Sequence, residues 1–203
     1  MFKTLLLRNC IQHNFLHEKA LYMYGIVDYL VQTLIGSVQA DIYETSCHGI
    51  GMMTLYNQAA KEITASNCVK NVLDVLRNEN ATWSARQAAL FALNQLLKCD
   101  VKNCQEFLDI QGQNHLLWLL RRSEKVPAEM LVGAVECIVT IARNQAFKHT
   151  VITTDIIDAL CASFEVYLNE IPLLIEYILI LNLGLIRWPV ELHIDERLQN
   201  SQL

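Results

Sequence analysis

The residues of this 203-residue chain that could do chemistry are its seven cysteines, its six histidines and a few close groups of charge. Cys10, His13 and His17 stand at i, i+3 and i+7, a spacing that would line three zinc-capable ligands along one face of a continuous helix. They lack a fourth ligand. Cys99 and Cys104 bracket a short spacer with neither a second cysteine pair nor a histidine cluster nearby, so zinc or redox chemistry there lacks its other half. Cys47 and His48 are adjacent, and helical neighbours point about 100° apart, which does not suit a nucleophile and its base. Phosphate chemistry needs backbone amides freed by clustered glycines. The nearest approach is Gly49-x-Gly51, inside a helical pattern where close helix packing explains it better. The chain contains no Walker loop, no H-E-x-x-H and no G-x-S-x-G. Arg121, Arg122 and Lys125 form the densest basic spot, with Trp118 a turn earlier. An aromatic beside arginines can stack on bases, but three cations in a chain of net charge −5 suit a solvated helix end that complements the helix dipole. The sequence therefore predicts no catalytic residues, no metal and no cofactor.

The elements that would position any site follow from composition. With 53% apolar and 18% charged residues, disorder is excluded over most of the length. Only 7 Gly and 3 Pro are present, too few for the many turns of an all-β sandwich. The acidic balance argues against a general nucleic-acid binder, which needs a basic stripe to displace counterions. Seven cysteines are an odd number, scattered through apolar stretches, and read as small buried hydrophobes in a reducing compartment. The opening Met1 to Leu7 meets Arg8 and Asn9 before a signal-peptide core can form, and Asn80-Ala81-Thr82 reads as a polar turn rather than a glycosylation site. An intracellular location, cytoplasmic or nuclear, is the expectation.

Helical periodicity runs through the chain. Ser84 to Leu97 carries Ala85, Ala88, Ala89, Ala92, Leu93 and Leu96 on one wide face, with Ser84 placed as an N-cap. Asn114 to Arg121 is a shorter helix with Gly112 before it for the turn, and Pro127 opens another that carries Leu131, Ala134, Val135, Ile138 and Ile141 inward. The run from 171 to 186, IPLLIEYILILNLGLI, is apolar apart from Glu176 and Asn182. It is shorter than the ~20 residues of a spanning helix and holds a charge, so a buried helix of a soluble protein fits it better than a membrane anchor. All-α is the fold class.

Sliding the chain by 44 residues aligns Ile63, Phe107 and Val151, then Val72, Leu116 and Leu160, then Leu76, Leu120 and Phe164. The preceding helices align as Met52 and Leu55, Leu93 and Leu96, Ile138 and Ile141, with the length changes confined to loops. A period of this size belongs to helical solenoids. The stretch Ala89 to Leu96, then Asn103-Cys104 through Gly112, then Leu116 to Leu120 resembles an armadillo repeat, and Leu5 to Cys10 followed by Gly25-Ile26-Val27 fits the same pattern. Ile178 to Leu183 is the matching helix of a last, incomplete unit. The resemblance implies a right-handed α-solenoid of about four armadillo-like repeats plus a partial terminal one over residues 1–186, followed by a polar tail at 187–203. In this register Asn14 ends a helix, which breaks the face shared by Cys10, His13 and His17.

The resemblance also implies a function. In armadillo proteins the third helix of each unit lines a concave groove, where an Asn bonds the backbone of an extended peptide and a Trp one turn earlier packs against its side chains. Carried over, the Asn positions are Asn9, Thr54, Gln95, Thr140 and Asn182, and the Trp positions are Leu5, Ile50, Phe91, Glu136 and Ile178. Asn survives at two of the five and Trp at none, which speaks against importin-like recognition of basic peptides. The expectation is a non-enzymatic scaffold or adaptor for a partner protein or extended peptide, through Asn9, Thr54, Phe91, Gln95, Thr140 and Asn182. The alternative is a structural fragment or isoform of a longer solenoid with no ligand of its own. Residues 171–186 and Phe2, Leu5, Leu6 and Leu7 are too apolar for solvent-facing caps and predict packing through the terminal repeats.

Overall fold

The computed structural model describes residue 22, residues 25–36 and residues 40–166. Asn9, Asn182, the apolar run 171–186, both terminal faces, the tail 187–203 and the Cys10, His13 and His17 group lie outside the described residues. In chain order the described helices are α1 (Ile26–Gly36), α2 (Ala40–Met53), α3 (Asn57–Ala65), α4 (Cys68–Arg77), α5 (Trp83–Cys99) and α6 (Val101–Asp109). They continue as α7 (Gly112–Leu120), a 3-10 turn (Ser123–Lys125), α8 (Ala128–Ala142), α9 (Lys148–Val151) and α10 (Thr154–Val166). No strand occurs among the described residues. The order is a repeating triplet of two short helices and a long one: α3, α4 and α5, then α6, α7 and α8, then α9 and α10. The long helices form a row, with α5 packed between α2 and α8.

Each element follows from its residues. In α4, Cys68, Val69, Val72, Leu73, Val75 and Leu76 are buried while Lys70 and Asp74 face solvent as an i, i+4 pair. Sandwiched by its neighbours, α5 buries residues around most of its circumference, and Ala85, Ala88, Ala89 and Ala92 let the adjoining backbones come close. Its N-cap is Thr82, whose hydroxyl accepts from the Ala85 amide; Ser84 already lies in the first turn and cannot serve.

The 44-residue period is visible in three dimensions. Ile63, Phe107 and Val151 are fully buried, as are Val72, Leu116 and Leu160; the Phe164 side chain lies outside the described residues. In two consecutive units the turn into the second helix uses a left-handed residue, Asn67 (φ 53°) in one and Gln111 (φ 57°) in the next. The clamp between repeats recurs as well. Arg77 donates to the Ile110 and Gln111 carbonyls of the following unit, and 44 residues on Arg121 pairs with Asp155 at 2.8 Å. The basic spot around Arg121 is thus partly a fastening between units rather than a purely solvated helix end.

Two details differ from the periodicity reading. Gln111, not Gly112, makes the turn before α7. Gly112 is required for space, since a Cβ there would sit 2.1 Å from Cε2 of the Phe107 ring. Gly112→Ala is expected to cost about 1–3 kcal/mol of unfolding free energy in urea titrations, against near neutrality for Gly36→Ala, where a Cβ meets nothing within 4 Å. Equal behaviour of the two variants would contradict the packing. The second difference is the register of α2. Ile50 and Met53 are its buried counterparts of Leu93 and Leu96, whereas Met52 is half-buried and Leu55 is exposed beyond the helix end. The pairing of Met52 and Leu55 with those leucines is therefore shifted by two residues, because the loops absorb the difference in helix length.

Of the six described cysteines, Cys47, Cys68, Cys104 and Cys137 are buried. Burial pushes their thiols up, Cys68 to about 12 and Cys104 to about 11, so these four pack as small hydrophobes and carry little thiolate.

Candidate protein-binding groove

The row α2, α5, α8 presents a line of half-buried side chains at helical spacing. In the register set by burial, His48, Phe91 and Glu136 occupy one position of the three helices, and Met52, Gln95 and Thr140 the position a turn later. The His48 and Phe91 rings stack with centroids 5.1 Å apart and planes inclined by 28°. They come together because Gly51 leaves room for the Phe91 ring and the Ala92 backbone; a Cβ on Gly51 would lie 2.5 Å and 3.1 Å from them. Sequence reasoning missed His48, which at two residues from Ile50 is hidden by the shifted register.

Between α5 and α8 a polar cluster replaces apolar packing. Asn94, 2% exposed, donates through Nδ2 to Oε2 of Glu136 at 2.7 Å, and its Oδ1 accepts from the Thr140 hydroxyl at 2.8 Å. The amide holds the carboxylate and the hydroxyl of neighbouring turns in fixed places. With its proton committed to Asn94, the Thr140 oxygen remains an acceptor toward anything above it. Asn94 escaped the sequence reading because it falls between Leu93 and Gln95 without any periodic signal.

The structure thus brings Phe91, Glu136 and Thr140 into the row, with Gln95 half-buried one helical turn beyond Phe91. Ile50 and Thr54 are placed differently. Ile50 is fully buried, and Thr54 follows the end of α2 at 6% exposure with its hydroxyl donating to the Gly51 carbonyl at 2.7 Å. Asn103, part of the motif resemblance, is a structural pin: its amide donates to the Leu96 carbonyl at 2.8 Å and fastens the turn from α5 into α6.

A second feature lies between the end of α4, the start of α5 and the first two turns of α7. Arg77, Glu79, Arg86, Asn114, His115 and Trp118 line a cavity of about 320 Å³. His115 stacks on Trp118 with centroids 5.1 Å apart, and the Arg122 guanidinium covers the same indole at 4.5 Å. Burial, followed by the charges of Arg77 and Arg86, pushes the His115 imidazole down to about 4. The unfolded chain therefore takes up this proton first. The stability that depends on a neutral His115 is complete above about pH 6.5 and drains away as the pH falls toward 4. Between pH 7 and 5 the wild type is expected to lose about 1–2 kcal/mol more than His115→Gln, a figure reduced for the partial exposure of the ring. Denaturant titrations at the two pH values measure it, and parallel losses would refute it.

The repeating triplets, the row of long helices and the inter-repeat clamps define an armadillo-like α-solenoid. Solved structures agree. The chain is similar to a designed armadillo repeat protein at 16% identity, with 87% of this chain and 72% of that one covered and a TM-score of 0.73. It is similar to a computationally designed armadillo repeat protein for modular peptide recognition at 17% identity, with 87% and 72% covered and a TM-score of 0.73. A designed armadillo repeat protein in complex with the peptide (KR)4 matches at 15% identity, with 87% and 71% covered and a TM-score of 0.68. At such identities the likeness is one of fold. No protein-family model and no curated protein matches the sequence. Among the described residues no helix is long and apolar enough to cross a membrane, and no group of three or more His, Cys, Asp or Glu could hold a metal.

Proposed function

We propose that this chain is a non-enzymatic protein-interaction scaffold that receives an extended peptide segment of a partner along the row α2, α5, α8. The observation that carries the reading is the line of half-buried His48, Phe91, Gln95, Glu136 and Thr140, in which stacking holds His48 and Phe91 and Asn94 holds Glu136 and Thr140. An aromatic pair offers apolar contact, while Gln95, the Glu136 carboxylate and the Thr140 oxygen offer partners for a peptide backbone. The likeness to designed peptide-recognition armadillo proteins supports the same use of the fold. Glu136 in place of an aromatic gives this groove a specificity of its own. The net charge of −5 supports protein rather than nucleic acid as the ligand, and the buried thiols support an intracellular location, cytoplasmic or nuclear.

The test is selection of peptides from a random display library on the full chain, then measurement of their affinity for Phe91→Ala with Gln95→Arg, after circular dichroism shows that the helices of the variant survive. A loss of at least about tenfold is expected. Selected peptides that bind both forms equally would remove the groove as the working surface.

A further inference from the structure

We propose that the cavity between α4, α5 and α7 is a second binding site, which takes a single carboxylate from an acidic peptide segment. It shares no residue with the groove and does not rest on the reading of it. Arg86 is the centre of the argument. It is 7% exposed, its Nη2 donates to the Asn78 carbonyl at 2.7 Å, and its guanidinium lies 5.0 Å from the Trp83 ring centre. Its Nε–H is sealed from solvent with no partner among the described residues. A buried donor on a charged group is costly to leave unmade, and the group that satisfies it best is a charged acceptor.

Charge and size narrow the ligand. Arg77 and Arg86 contribute two positive charges to the wall and Glu79 one negative charge, which leaves a surplus of one while His115 is neutral. One carboxylate balances that surplus. A phosphate monoester carries close to two charges at neutral pH and would face Glu79. A volume of about 320 Å³ is at the small end of ligand pockets, suited to an acidic side chain with its neighbouring backbone. Trp118 supplies apolar surface for the methylenes. Arg77 is itself tied to the Ile110 and Gln111 carbonyls, so it adds charge from a fixed position.

The probe is N-acetyl-glutamate N-methylamide, whose one charge is its carboxylate, titrated into the full chain labelled at histidine and followed through the His115 ring resonances. A saturable shift is expected, with the glutamine analogue and inorganic phosphate each at least about fivefold weaker. Arg86→Gln and Arg77→Gln should each weaken the glutamate probe at least about tenfold. Arg77 is exposed, and since Arg77→Gln also gives up the tie to the Ile110 and Gln111 carbonyls, circular dichroism must show its helices retained before its binding is compared. Arg121→Gln, which removes a cation paired with Asp155 outside the cavity, should leave binding unchanged. No saturable shift, equal binding of the glutamine analogue, phosphate binding as tight as glutamate, or indifference to both cavity arginines would each overturn the proposal.

Discussion

Phe107→Ala is expected to lower the unfolding free energy by about 3–5 kcal/mol, measured by urea titration with circular dichroism. The ring is fully buried, and it fills the space that Gly112 leaves at the start of α7. The corresponding positions in the neighbouring units are Ile63 and Val151, also fully buried, so the aromatic is a local answer to a glycine that the other two repeats lack. Truncation opens a cavity that the adjoining helices, each held by the next unit, close only in part. The same contact predicts non-additivity. In the Phe107→Ala background, Gly112→Ala loses its clash, and the double variant should be more stable than the sum of the single losses by at least about 0.5 kcal/mol. A loss below about 1 kcal/mol for Phe107→Ala alone would show that the ring is not packed as described.

Asn94→Ala is expected to cost about 2–3 kcal/mol. It removes two hydrogen bonds, one of them to a carboxylate, and leaves Glu136 and Thr140 half-buried without their partner. Gln95→Ala, one residue along on the half-buried face, should stay within about 0.5 kcal/mol of wild type. A double-mutant cycle of Asn94→Ala with Glu136→Ala isolates the pair and should return a coupling of at least about 0.5 kcal/mol. The functional side of the same variant is distinct from its stability. Released from the amide, the Glu136 side chain samples other rotamers, so peptides selected on the wild type should bind Asn94→Ala more weakly even where its helices are intact. If Asn94→Ala and Gln95→Ala proved equal in stability, the cluster would be a surface contact and not a link between α5 and α8.

Much of the fold was legible because a solenoid writes its core as a period. Ile63, Phe107 and Val151 occupy equivalent places for a reason composition already supplies: each unit buries its apolar face only on the next. The same logic explains the slip of register in α2. Periodicity counts residues, whereas packing counts turns of helix. Where α2 ends at Met53 and α5 runs on to Cys99, the length change assigned to the loop was two residues out, so Ile50 and Thr54 were aligned with Phe91 and Gln95 where burial aligns His48 and Met52. Burial corrected it, because the apolar side of a helix against its neighbours cannot be displaced by two residues without turning about 200°.

What the sequence determined by itself was the all-α class, the 44-residue repeat, the armadillo resemblance and the packing role of most cysteines, all consequences of which residues are apolar and how often they recur. Tertiary structure alone decided the rest. Asn94 became a bridge to Glu136 and Thr140, Gly112 a vacancy for Phe107, and Arg77, Arg86 and His115 the walls of one cavity. Some of these groups are far apart in sequence and others only a loop apart, but in each case their meaning lies in distances of a few ångströms between elements. Hydrogen bonds, steric exclusion and charge repulsion act only at that range, so no pattern along the chain encodes them.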